Sequence, residues 1–218
     1  ALRRGEQARQ LATVTTLTSA VSSHCVGIEE DATAIAYAMA YAAQIDDPEA
    51  AERVVQGIFG ARQRVATARL EVPSASFETV LAKEGMDRES VPKSDEALRA
   101  QAKAKAAPAY AHVDAAQGAL VVPVPDVSED GKKGAEGFLT VPVYREPIAD
   151  LAKEALIHGG LGVDTRVIVV DAQRHVVVAS GDGLPAPGAD SHDLPIWSAH
   201  SQDGGSSVHH LVSHEFEA

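Results

Sequence analysis

Apolar side chains recur at heptad spacing through the first 45 positions. Leu11, Thr18, Cys25, Ala32 and Met39 stand seven residues apart, and Val14, Val21, Ile28, Ile35 and Ala42 form the matching second set. No proline interrupts Glu6 to Ile45, and Gly27 is the one glycine within that span. This pattern predicts a single long helix with the narrow a/d stripe of a coiled coil. A helix of about 40 residues spans roughly 60 Å at 1.5 Å per residue, more than a compact domain of this size needs. Two readings follow: a stalk (residues 1–45) whose stripe seeks a second copy, or a core helix with a kink near Gly27.

The pattern changes after Ile45. Asp47-Pro48-Glu49 combines a capping carboxylate, a first-turn proline and an acidic residue at the positive end of the helix dipole, which predicts a helix to about Arg62. Val65 to Val72 alternates, with Ala66, Ala68, Leu70 and Val72 on one face and Thr67, Arg69 and Glu71 on the other, as in a half-buried strand. Residues 74–107 are polar, charged and alanine-rich, with a short helical pattern from Asp95 to Ala106, and read as a mobile excursion over the sheet. Ala119 to Val124 and Gly137 to Tyr144 form strands around the turn "DVSEDGKKGAEG", and Glu146 to His158 forms a helix with Ile148, Leu151, Ala155 and Leu156 on its apolar side. The β-branched runs of "RVIVVDAQRHVVVAS" predict a hairpin covered on both faces. The tail, 181–218, is rich in Gly, Pro and His, with one late apolar stretch, "SSVHHLVSHEF". The expected class is α+β: a long N-terminal helix followed by an antiparallel sheet with flanking helices.

Charge narrows the partners. A formal net charge of -12 opposes nucleic acid and anionic membrane surfaces, both of which need a basic footprint. One cysteine, Cys25, excludes an internal disulfide, and its place in the stripe suits a small packed thiol. No run approaches about 18 consecutive apolar residues, so no transmembrane helix is expected, and a first residue other than methionine suits a piece of a longer protein.

Most catalytic signatures fail. "GKKGAEG" lies between strands where a phosphate-binding loop would open a helix, and Ser90-Val91-Pro92-Lys93 carries a proline where a serine-x-x-lysine motif needs helix. Asp190, His192, Asp193, His200, His209, His210 and His214 crowd the tail and offer metal-type ligands, a pH-responsive surface or a plain solvated tail. Tyr110, His112 and Asp114 alternate ahead of an apolar strand, so an extended approach would turn a phenol, an imidazole and a carboxylate to one side, suited to a small polar ligand; a plain strand-entry loop is the alternative.

Taken in order over about residues 6 to 180, the long helix, "AYAHVDAAQGALVVPV", "GFLTVPVYREPIADLAKEAL" and "RVIVVDAQRHVVVAS" resemble the extracytoplasmic Cache (PAS-like) sensor domains of bacterial chemoreceptors, sensor kinases and cyclases. Asp171 matches the aspartate of the family's last hairpin, and Arg174 stands where that hairpin usually has its turn glycine. Asp114 aligns with a ligand carboxylate, His112 replaces an aromatic, and Arg99 in "DEALRAQAKAKAAPAY" supplies the charge that grips a carboxylate in amino-acid-binding members, without their tryptophan-tyrosine pair. The resemblance implies a sensor domain over 46–180 on the periplasmic side of an inner membrane, reached only through segments outside this chain. A small ligand held by Arg99, Tyr110, His112, Asp114, Tyr144 and Asp171 is expected on this reading, while the failed catalytic signatures point to no enzyme and no cofactor and the heptad stripe to a homodimer through the N-terminal helix. A ligand-free interaction module and a metal-binding domain using the tail histidines are the competing readings.

Overall fold

The structure, a computed structural model, describes residues 2–72, 76–89, 91–114, 116–125, 137–159, 166–170, 174–180 and 183–192. It has the expected α+β layout: a long N-terminal helix and a five-stranded antiparallel sheet with flanking helices. Helix α1 runs from Leu2 to Ala42, and α2 from Pro48 to Ala61. The Asp47 carboxylate caps α2 as its sequence predicts, accepting the amides of Glu49 and Ala50.

The chain divides into two compact units, one taking the described residues of 2–25, 114–116 and 144–192, the other 26–113 and 117–143. The second unit holds the main sheet, ordered β2-β1-β5-β4-β3, with β1 at Thr67–Val72, β2 at Phe77–Ala82, β3 at Ala109–His112, β4 at Gln117–Val124 and β5 at Gly137–Tyr144. Strand β2 corrects the sequence reading: part of the supposed excursion over the sheet is a strand within it, paired with β1 from Thr67↔Ala82 to Val72↔Phe77. Helix α3, Glu96–Lys105, then lies on the sheet, its Leu98 and Ala102 packed with Ala109, Ala119, Val121 and Phe138.

That packing assigns the faces. Phe138 lies opposite Glu71, and Thr140 opposite Arg69. Paired residues share a face and neighbours along a strand alternate, so Thr67, Arg69, Glu71 and Thr140 all look toward α3. The half-buried strand of the sequence reading is therefore covered on both faces, with Thr67, Ala68 and Arg69 all buried.

Helix α1 contributes to the cores of both units. In the first, Leu17, Val21 and Cys25 pack with Ile148, Leu151, Ala152 and Ala155 of α4 (Glu146–His158) and with Val178, so Cys25 does pack as a small apolar group. In the second, Ile28, Ala32, Ile35, Met39 and Ala42 are buried within the chain. The heptad residues of the C-terminal half are thus core residues of a single copy. The hairpin of β6 (Val167–Val170) and β7 (Val176–Ser180) forms as predicted but as a separate two-stranded sheet, with residues 188–191 running beside 174–176 through the amides of Val176, Gly188 and Ser191.

The membrane expectation also needs correction. Over Ala8–Ala42, α1 reaches a mean hydropathy of 1.2 and is long and apolar enough to cross a membrane by length and composition. Membrane spans, signal sequences and buried core helices share that property. Scattered threonines and serines break every continuous apolar run without lowering the average enough to fail it.

Candidate functional site

The polar face of β1 carries the strongest concentration of charge inside the main unit. Arg69, only 8% exposed on a strand flanked on both sides, must find most of its partners in protein. It donates to the Val91 carbonyl from Nε at 3.3 Å and Nη2 at 2.9 Å, and pairs through Nη1 with Glu78 on β2. Glu78 also takes Lys93 Nζ at 3.1 Å. Two residues along β1, Glu71 accepts the Ser94 amide at 3.3 Å and the Ser94 hydroxyl, stands 3.5 Å from Arg99 Nη1, and receives Thr140 Oγ1 at 3.5 Å. Arg99 completes the arrangement with bonds to the Ser94 carbonyl at 2.7 Å and the Ser94 hydroxyl at 3.1 Å.

The segment that brings these groups together is Val91 to Arg99. Asp95 caps α3 by accepting the Leu98 amide, and that cap fixes where the helix begins and hence where Arg99, in its first turn, points. Three cations, Arg69, Lys93 and Arg99, pair with two carboxylates, Glu71 and Glu78, and the same segment adds the carboxylates of Asp95 and Glu96, so the site carries no excess positive charge. Beside Arg69 on the same face, Thr67 is fully buried, and its hydroxyl has no hydrogen-bond partner among the described residues. A buried donor left unpaired costs about 1–3 kcal/mol, so a group that meets it is favoured.

The structure divides the residues that the sequence grouped. Arg99 belongs to the network. Ala109 and Ala111 of β3 turn toward α3, so Tyr110 and His112 share the opposite face of the sheet. There the Tyr110 ring lies so close against Gly118 that a Cβ at that position would collide with it. Asp114 lies beyond β3, where its carboxylate accepts the Ala116 amide at 2.7 Å and closes a turn. Tyr144 is the last residue of β5 and is half-buried. Asp171 lies outside the described residues, as do Asp193, His200, His209, His210 and His214. Tyr110 and His112 therefore share a face of the sheet, Asp114 falls after the strand has ended, and Arg99 belongs to the other face.

Thr67, Arg69, Glu71, Glu78, Ser94 and Thr140 escaped the sequence reading. Their signal was the spacing of Thr67, Arg69 and Glu71 along a strand, which looks the same whether that face meets solvent or a covering segment. Asp190, His192 and His175 are neighbours in the other unit: His192 Nδ1 pairs with Asp190, whose backbone bridges to His175. Among the described residues, no group of three or more His, Cys, Asp or Glu side chains is placed to hold a metal ion. No protein-family model and no curated protein matches this chain.

Proposed function

We propose that the chain is a sensory domain, the extracytoplasmic part of a membrane-anchored receptor, which binds a small polar ligand on the α3 side of its sheet and signals through α1. The observation that carries this reading is a charged face on the interior strand β1, roofed by Val91–Arg99, with the Thr67 hydroxyl unpartnered among the described residues. A buried arginine and an unpaired buried hydroxyl both carry a desolvation cost that apolar side chains at these positions would avoid. The α+β layout, a long N-terminal helix before an antiparallel sheet, is compatible with a sensor domain, and α1 is long and apolar enough to be compatible with membrane attachment.

Binding to the folded state alone raises apparent stability, so a thermal-shift screen of carboxylates, amino acids, amines and metal ions tests the proposal directly. The expected result is saturable stabilisation by a small polar compound, weakened by Arg99→Ala and by Thr67→Val, with the compound recovered chemically unchanged. Silence across the screen would instead favour an interaction module in which the network only pins Val91–Arg99 to the sheet.

A further inference from the structure

Gly27 and Asp31 occupy one face of α1, a turn apart, and both meet the short connection between α2 and β1. The Asp31 carboxylate, on a residue only 6% exposed, accepts the Arg64 backbone amide at 3.1 Å. The Arg64 side chain lies across Gly27, so a Cβ there would stand 2.5 Å from Arg64 Nε. Glycine is present in this long helix because another side chain occupies the space a Cβ would take. The arginine at the other end of the connection is only partly engaged. Arg62 Nη1 stands 3.7 Å from Asp31 Oδ1, beyond hydrogen-bond reach, and Arg62 Nε is buried with no partner among the described residues. The Arg62 carbonyl in turn accepts Lys83 Nζ, just past the end of β2.

We infer that Gly27, Asp31, Arg62 and Arg64 form a latch between α1 and the start of β1, with a loose and a tight arrangement that differ in whether Arg62 hydrogen-bonds Asp31. The inference rests on the proposed ligand site, because Arg64 lies three residues before Thr67 and five before Arg69 on a continuous run of backbone. A shift of β1 as its polar face is occupied moves Arg62 and Arg64 relative to Asp31. The latch converts that shift into a change at one point of the helix. A ligand favours whichever arrangement it binds better, and a pair with one hydrogen bond still to make is an element that can have two.

Hydrogen exchange of the full chain tests this without a ligand. Arg99→Ala loosens the roof of the site, and with the latch intact it should speed exchange of α1 amides around residues 28–35 by about fivefold or more, as local opening becomes easier. In the Asp31→Asn background, which keeps an acceptor for the Arg64 amide but discharges the partner of Arg62, the same substitution should leave those amides unchanged. Gly27→Ala separates coupling from helix stability, since alanine favours helix while its Cβ displaces Arg64. It should slow α1 exchange and still abolish the response to Arg99→Ala. The latch is refuted if Arg99→Ala leaves α1 exchange untouched in the parent chain, or if its effect persists in both latch variants. Such a result would not touch the ligand proposal, which the thermal-shift screen decides on its own.

Discussion

Arg69 and Thr67 stand two residues apart on β1 and are buried on opposite terms. Each guanidinium nitrogen of Arg69 has a partner, so removing it strips the Val91 carbonyl of those donors and leaves Glu78 with Lys93 alone; Arg69→Ala should cost about 3 kcal/mol in urea denaturation, and Arg69→Met less, because the volume is kept. Thr67→Val removes only an unpartnered hydroxyl and should leave stability unchanged or higher by about 1 kcal/mol. The two substitutions therefore separate a fold-supporting side chain from one kept at a cost. At the surface, Asp190 is held below its ordinary value of 3.8, chiefly by the His192 backbone amide and then by the His192 side chain. A depressed carboxylate stabilises the fold above its unfolded value and loses that contribution as pH falls through the folded one. Melting temperature followed below pH 3.8 should thus fall less steeply in Asp190→Asn than in the parent chain.

The elements were legible to very different degrees. Helix α4 runs over the residues its pattern predicts, and α2 starts at its predicted cap, because capping chemistry and 3.6-residue periodicity are local. Strand β2 was missed although Phe77, Thr79 and Leu81 alternate with Glu78 and Val80, since six residues within a charged, alanine-rich stretch carry too weak a periodic signal. With β2 went the site, because Glu78 and the crossing from Ala82 to Val91 make sense only beside a paired strand. Left-handed backbone was half visible. Arg174, placed where the resemblance expects a turn glycine, does adopt φ 62°, whereas Ala106 at the C-cap of α3, at φ 49°, left no trace in the sequence. Non-glycine residues pay about 1–2 kcal/mol for this conformation. Ala106 is exposed, so Ala106→Gly should stabilise the chain by about 0.5–1 kcal/mol on thermal unfolding, part of the relief being offset by glycine's backbone entropy.

For the whole molecule, the heptad stripe is the instructive case. Ile28, Ala32, Ile35, Met39 and Ala42 are buried within one copy, and Val21 packs against the α4 cluster. A homodimer through α1, proposed from the pattern, must therefore use the first turns around Leu11, which is 45% exposed, and the half-buried Val14. We expect a weak, concentration-dependent monomer–dimer equilibrium in sedimentation equilibrium, lost in Leu11→Glu with no change in melting temperature; a strict monomer at the highest concentrations would leave α1 as a core helix alone. What the sequence determined by itself was whatever depends on neighbours within a few turns: the helices α1, α2 and α4, the β6–β7 hairpin, the cap at Asp47 and the α+β class. The tertiary structure alone decided which surface each stripe meets. A heptad pattern reads the same against a second copy as against its own domain, and an alternating strand reads the same against water as against a covering segment. Burial is set by contacts between residues far apart in the chain, and so Arg69 and Glu71 became the centre of a partly buried network.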